Sequence, residues 1–211
     1  MKKHTALISE LSTDLAPVSP PGNINLLALA WFVLSAIFVV ALTRLLGPMR
    51  PGVLSQLATE PRFLLETALG VMAILWVSLL AFRSSVPAGL SKRFAVAGFV
   101  LMALWLAQYV IGFVSPALEP SPLGKRDYCY LETLVYALPV IVSGLFLVRR
   151  LYPLRPMRTA LSVGLVAGML PALVMQLACM YEPAHILVFH VLPGLLMVGV
   201  SALIARWWQS R

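Results

Sequence analysis

The chain has 211 residues, of which 60% are hydrophobic and only 11% charged, and its mean hydropathy is +0.90. Soluble domains contain about 25% charged residues, so this composition excludes an ordinary soluble protein. The net charge of +8 does not indicate nucleic-acid binding, because the basic residues flank apolar blocks and do not form one cluster. The expected environment of the chain is therefore a lipid bilayer.

The first 25 residues are predicted to form a cytoplasmic tail that contains a short amphipathic helix. Leu7, Ile8, Leu11 and Leu15 recur at the spacing of one helical face. A helix of about ten residues is marginal alone in water, so this stripe either lies on the membrane or docks into a partner's groove. Acidic residues, including Asp14, offset the lysines of the tail and remove the basic face of a membrane-surface helix, which favours a protein partner.

Six apolar segments follow, each of about twenty residues, the length that crosses roughly 30 Å of hydrocarbon as a helix. In lipid the backbone must satisfy its own hydrogen bonds, so we expect an all-α membrane protein with a six-helix transmembrane domain at residues 26–211. A short additional helix is expected in the loop at residues 47–62. The predicted spans are residues 26–46, 63–82, 94–114, 131–148, 160–178 and 186–205.

The distribution of Lys and Arg predicts the orientation of the bundle. With both termini in the cytoplasm, eleven of the 16 Lys and Arg residues lie inside and five lie outside, as the positive-inside rule requires. This arrangement describes a multi-pass protein of a bacterial inner membrane. The five outer residues are Arg44, Arg50, Arg62, Lys125 and Arg126.

Several polar side chains fall at a common depth in the outer halves of the predicted helices. They are Glu66, Gln108, Gln176 and His190. Polar groups in lipid usually face the bundle interior or water. This layer is therefore either a set of interfacial residues that reach water or the lining of an outward-open polar pocket.

The two cysteines of the chain belong to the same outer layer. Cys129 precedes the fourth span and Cys179 ends the fifth, and these spans run in opposite directions, so both thiols emerge at the outer surface. A disulfide can persist in that oxidising compartment. We interpret the cysteines as a thiol pair, against the alternative of two unrelated small apolar residues at helix ends.

Further metal-binding side chains lie near the start of the sixth span. Glu182, His185 and His190 together with Cys179 are the kind of donor set that binds zinc, cadmium or copper. A soft divalent metal ion at the outer face is thus an alternative to a disulfide, with Glu66 as an auxiliary sensor or ligand. The spacing of five residues between the histidines is not the i, i+4 pairing of two ligands on one helical face, which favours a packing role for each histidine alone.

Several segments of the sequence together resemble one known family. The most specific segment begins at Cys179 and includes Glu182-Pro183-Ala184-His185 and Phe189-His190-Val191-Leu192-Pro193-Gly194. Shorter segments lie at residues 7–18, at 61–66, at 85–87 and around Cys129 and Pro139. Through these segments, from about residue 5 to residue 208, the sequence resembles the NrsF family, membrane anti-sigma factors named as negative regulators of sigma F.

The resemblance implies a six-span protein that holds an extracytoplasmic-function sigma factor inactive at the membrane. It also implies that Cys129 and Cys179 are outer thiols associated with responses to heavy-metal or oxidative stress. The tail would then be the segment that binds the partner. Whether the thiols form a disulfide or bind metal stays open.

A membrane thiol oxidoreductase linked to quinone is the alternative function. Such relays generally need two dithiol pairs, whereas this chain has two cysteines in total and no C-x-x-C motif. A regulator without catalytic residues is therefore favoured. The sequence makes no prediction about homo-oligomers.

Overall fold

The structure is a computed structural model that describes residues 9–10, 12–13 and 22–209. The four described tail residues are helical. The tail residues predicted to bind the partner lie outside the described part of the chain. They are the stripe residues Leu7, Ile8, Leu11 and Leu15, together with Asp14.

The described residues form helices and no named strand, with one isolated antiparallel bridge between Ser121 and Tyr181. Six of the helices are long and apolar enough to cross a membrane, as predicted. A π-helical turn, Leu187–Val191, joins α7 to α8 and makes them one continuous sixth span. The helices are α1 (Ile24–Leu46), α2 (Val53–Thr59), α3 (Pro61–Arg83), α4 (Lys92–Ile111), α5 (Cys129–Arg149), α6 (Pro156–Ala178), α7 (Pro183–Ile186) and α8 (Leu192–Gln209).

The ends of the long helices differ from the predicted spans for local reasons. Three of the six spans begin at a proline that precedes the first predicted residue of the span. These prolines are Pro61, Pro156 and Pro183. Proline suits the first helical position, because its missing N–H would have no helical partner there. The short helix α2 confirms the extra helix expected between the first two spans.

Helix α6 lies at the centre of the bundle. In its apolar stretch 78% of the residues are buried, against 28–44% in the other five spans. It packs backbone to backbone on α8: a Cβ on Gly168 would overlap the carbonyl oxygen of Gly194, and one on Gly194 would lie 2.6 Å from the carbonyl oxygen of Gly168. Such close approach between helices requires small residues.

The long helices alternate in direction, so the bundle has two distinct ends. The cysteine end contains the loop at residues 112–128, the start of α5 and the end of α6. The basic end contains the segments at residues 84–91 and 150–155 and the start of α1. At the basic end Arg83 Nε donates a hydrogen bond to Asn25 Oδ1 at 2.8 Å, and the hydroxyls of Ser84 and Thr159 are 3.0 Å apart. These contacts connect α1, α3 and α6.

Candidate thiol and histidine site

Two cysteines and two histidines meet at the cysteine end. The donor atoms of Cys129, Cys179, His185 and His190 all lie within 4.8 Å of one another. His185 Nε2 is 3.5 Å from Cys129 Sγ and 3.4 Å from Cys179 Sγ. Both cysteines are free thiols and both are buried. The structure therefore brings together all four of these candidate residues; we call them the cysteine–histidine cluster.

The two thiols lie at the ends of neighbouring helices. Cys129 is the first residue of α5, and Cys179 follows the last residue of α6, where its backbone N–H donates to the carbonyl of Met175 at 2.8 Å. Because α5 and α6 are antiparallel neighbours, the start of one lies beside the end of the other. The thiols thus meet because each stands at the terminus of its helix.

The π-helical turn brings the two histidines to one face. In a regular α-helix each residue turns the chain by about 100°, so His185 and His190 would point roughly 140° apart. Here the N–H of Leu192 donates to the carbonyl of Leu187, five residues back. This i→i+5 pattern aligns residues five apart, and the two imidazole rings are 5.1 Å apart between centroids. In this helix a spacing of five residues therefore places both histidines on one face.

Pro193 supplies the physical reason for the π-helical turn. It has no N–H, and in an α-helix its ring would clash with the carbonyl of Phe189, four residues earlier. A wider turn ahead of the proline relieves that crowding, and π-helical turns recur at functional sites. A proline three residues after His190 is thus the sequence signal for the paired histidines.

The two histidines differ in their surroundings. His185 is partly exposed and stacks on Phe189, with ring centroids 4.8 Å apart. His190 is fully buried, and neither of its ring nitrogens has a hydrogen bond of good geometry among the described residues, although the Cys179 thiol lies close by. A buried polar group without a partner costs about 1–3 kcal/mol. His190 therefore has an unmet requirement for a ligand or a donor.

The surroundings of Cys179 favour its thiolate. A hydrogen bond with the Cys129 thiol lowers the pKa of Cys179, burial opposes this, and the hydrogen bond with His185 lowers the pKa further. A lowered pKa increases the thiolate fraction, and the thiolate is the form that binds metals and attacks disulfides. The site can therefore act either as a metal ligand set or as a redox pair.

A buried cation lies near these thiols. The guanidinium of Arg50 packs between two rings, 5.4 Å from the centroid of Phe63 and 5.6 Å from that of Tyr181. Arg50 is only 3% exposed, and none of its three guanidinium nitrogens has a hydrogen-bond partner among the described residues. Burial lowers the pKa of Arg50, against the electrostatic attraction of Tyr181 and Cys179.

The loop between α4 and α5 is tied to residues that follow the two cysteines in the chain. The backbone N–H groups of Ser121 and Ala117 donate to the carbonyl and to the hydroxyl of Tyr181, each at 3.0 Å. Arg126 forms two hydrogen bonds of 2.8 Å with Glu132, which raise the pKa of Arg126, and it also donates to the backbone after α1. The loop is thus tied to three segments, namely Tyr181 after α6, Glu132 in α5 and the backbone after α1.

Comparison with known proteins now identifies the chain. A family model described as NrsF, negative regulator of sigma F, matches residues 11–209, nearly the whole chain and all four residues of the cluster. The chain belongs to the NrsF family. The family inferred from the sequence is confirmed, and its description makes this NrsF protein a negative regulator of a sigma factor. Neither a curated protein nor a solved structure matches the chain.

In this NrsF protein Glu66 and Glu182 lie outside the cysteine–histidine cluster. Glu66 accepts a hydrogen bond of 3.0 Å from Arg62, one helical turn away, and Glu182 precedes α7 without a side-chain capping bond. Of the other outer-layer residues, Gln176 accepts a hydrogen bond from Tyr109. Within the described chain the predicted polar layer is thus divided into separate contacts, and only His190 joins the thiols.

Proposed function

We propose that this protein is an anti-sigma factor of the inner membrane, which holds an extracytoplasmic-function sigma factor and releases it on an outer-side signal. The signal is heavy-metal or oxidative stress, and Cys129 and Cys179 sense it. The observation that carries the proposal is a thiol pair buried at one end of an NrsF family member whose Lys and Arg residues concentrate at the other end. The basic end faces the cytoplasm.

The composition of the site supports regulation over electron transfer. A quinone-linked thiol relay passes electrons between two dithiol pairs, and this chain contains two cysteines in total. Those cysteines are buried and both contact His185. We therefore assign no catalytic residue and propose no second function.

A route across the bilayer is available through α5 and α6. Each carries one thiol at the cysteine end, and the segment at residues 150–155 joins them at the basic end. Each contains an interior proline, Pro139 in α5 and Pro171 in α6. Such prolines remove a backbone hydrogen bond and permit a change of helix angle. A change in the approach of the thiols would thus alter the relative tilt of the two helices.

The basic end offers contacts that would transmit such a tilt. The Ser84–Thr159 hydrogen bond couples α6 to α3, and the Arg83–Asn25 hydrogen bond couples α3 to the start of α1, where the tail begins. A signal can be transmitted only if it favours one tilt of α5 and α6 over the other. The reduced thiol pair would favour one tilt, and the oxidised or metal-bound pair would favour the other.

The partner-binding role of the tail is tested by charge substitution. Leu11→Asp with Leu15→Asp places carboxylates on the apolar stripe, and burying each in an apolar groove costs several kcal/mol. We expect transcription from the sigma factor's promoters to rise without inducer, while the amount of membrane-inserted protein stays normal.

The matched control for the tail places the same two charges on the opposite face. Ser9→Asp with Thr13→Asp keeps the i, i+4 spacing but leaves the stripe intact. This control should repress like the wild type. Repression that survives in the Leu11 and Leu15 variant would remove the tail from the mechanism.

A further inference from the structure

We infer that Cys129, Cys179, His185 and His190 form a closed four-ligand site for a borderline-soft divalent cation of the Zn²⁺ or Cd²⁺ type. The inference rests on the proposed function, since it names the ligand of the same sensor. It also assigns both histidines to the site as ligands, which the thiol-pair proposal does not require.

The distances agree with tetrahedral coordination. Zinc binds thiolate sulfur at about 2.3 Å and imidazole nitrogen at about 2.0–2.1 Å, so the sulfur-to-nitrogen edge of the tetrahedron is about 3.6 Å. His185 Nε2 lies 3.5 Å and 3.4 Å from the two sulfurs. All four donor atoms lie within 4.8 Å of one another, so no remaining edge of a tetrahedron with sides of about 3.4–3.8 Å has to close by more than about 1.5 Å. The cluster is therefore nearly preorganised for a four-coordinate ion.

The unpartnered imidazole of His190 favours a metal over a disulfide. A disulfide would join the two sulfurs and leave both ring nitrogens of His190 without a hydrogen-bond partner among residues 22–209. A cation at the centre of the cluster would bind one of those nitrogens. In such a site the π-helical turn would place His190 on the same face as His185, so that both could bind the cation.

The donor atoms favour zinc or cadmium, and the four protein ligands favour a structural site over a catalytic one. Two thiolates and two neutral imidazoles balance the charge of a dication and suit zinc or cadmium better than magnesium or calcium, which prefer oxygen. With four protein ligands no coordination position stays open for water or substrate, as in structural zinc sites. The bound cation would join the start of α5, the end of α6 and the sixth span at one point.

Cobalt titration of the full-length protein in detergent micelles tests this inference. Co²⁺ replaces Zn²⁺ in such sites, and a tetrahedral site with thiolates gives intense visible bands and a near-ultraviolet charge-transfer band. After reduction with a phosphine and removal of metal by a chelator, we expect one Co²⁺ per chain with both features. His185→Ala and His190→Ala should each weaken binding by about 100-fold or more, since even partners of the ligands contribute 10–100-fold.

Two further variants make the result decisive. Glu182→Gln changes a carboxylate beside the cluster and should bind Co²⁺ like the wild type. His190→Cys retains four ligands and should bind Co²⁺ with a stronger thiolate charge-transfer band, which a histidine that serves only packing would not produce. Weak octahedral spectra, several ions per chain, or cobalt binding that both histidine variants retain would overturn the inference.

The same preparations separate this inference from the proposed function. If sigma-factor retention responds to oxidant but Co²⁺ does not bind, the metal site is wrong and the thiol sensor stands. If Co²⁺ binds as expected but the protein retains no sigma factor, the metal site stands and the proposed function is wrong.

Discussion

Replacing His190 with leucine should change protein stability in opposite directions without and with metal. The imidazole is fully buried, and within the described part of the chain neither ring nitrogen has a hydrogen bond of good geometry. Leucine has a similar size and no polar atom, so in the metal-free protein His190→Leu should increase stability by about 1–3 kcal/mol. For a chain of this length each kcal/mol corresponds to about 2–4 °C in Tm.

With zinc present, the wild type should instead be more stable than the His190→Leu variant. At a free concentration 1,000-fold above Kd, a cation that binds only the folded state stabilises the wild type by about 4.1 kcal/mol. The variant lacks one of four ligands and should gain far less. Tm is followed by tryptophan fluorescence in detergent, first with a chelator and then with Zn²⁺.

The control for His190 is Val188→Ala, an exposed position in the same π-helical turn, where Tm should change little under either condition. A His190→Leu variant that zinc stabilises as much as the wild type would refute the reasoning. So would a variant that is less stable than the wild type in chelator.

Three further predictions concern the bundle and its orientation. Gly168→Ala should lower stability by about 3 kcal/mol, since its Cβ would overlap the carbonyl of Gly194, whereas Gly199→Ala has open space and should leave Tm unchanged. Arg126→Met should cost about 1.5–3 kcal/mol by removing the hydrogen bonds to the part-buried Glu132, and adding Glu132→Leu should recover most of that loss in the same unfolding assay. Reporter fusions after Lys92 and Arg155 should read cytoplasmic and one at residues 121–126 periplasmic; the opposite pattern would contradict the proposed orientation.

The helical architecture could be predicted from sequence because lipid permits few alternatives for an apolar segment of twenty residues. The shared end of Cys129 and Cys179 could be predicted by counting spans, since an odd or even number of crossings decides the side. Helix starts were less predictable, because Pro156 and Pro183 begin their helices ahead of the apolar residues. Hydropathy indicates which residues of a helix can be buried, but it does not indicate the residue at which the helix begins.

The arrangement of the histidines could not be predicted from periodicity. Helical periodicity assumes 3.6 residues per turn, and the π-helical turn before Pro193 breaks that assumption over five residues. The burial of Arg50 could not be predicted from the sequence either. Its sequence position indicates a basic residue in an outer loop, and only tertiary packing places it between Phe63 and Tyr181.

Retention of a sigma factor by the purified protein is the most direct test of the central claim. The full-length protein, tagged at its C-terminus, is purified from membranes of cells grown with and without Cd²⁺, and sigma-factor peptides are quantified by mass spectrometry. We expect a sigma factor to co-purify from untreated cells and to be lost after Cd²⁺. We also expect Cys129→Ser, Cys179→Ser and the double variant to give one common level, unchanged by Cd²⁺. A wild-type protein that retains no sigma factor would rule out the anti-sigma function, and cysteine variants that still release it on Cd²⁺ would rule out the thiol sensor.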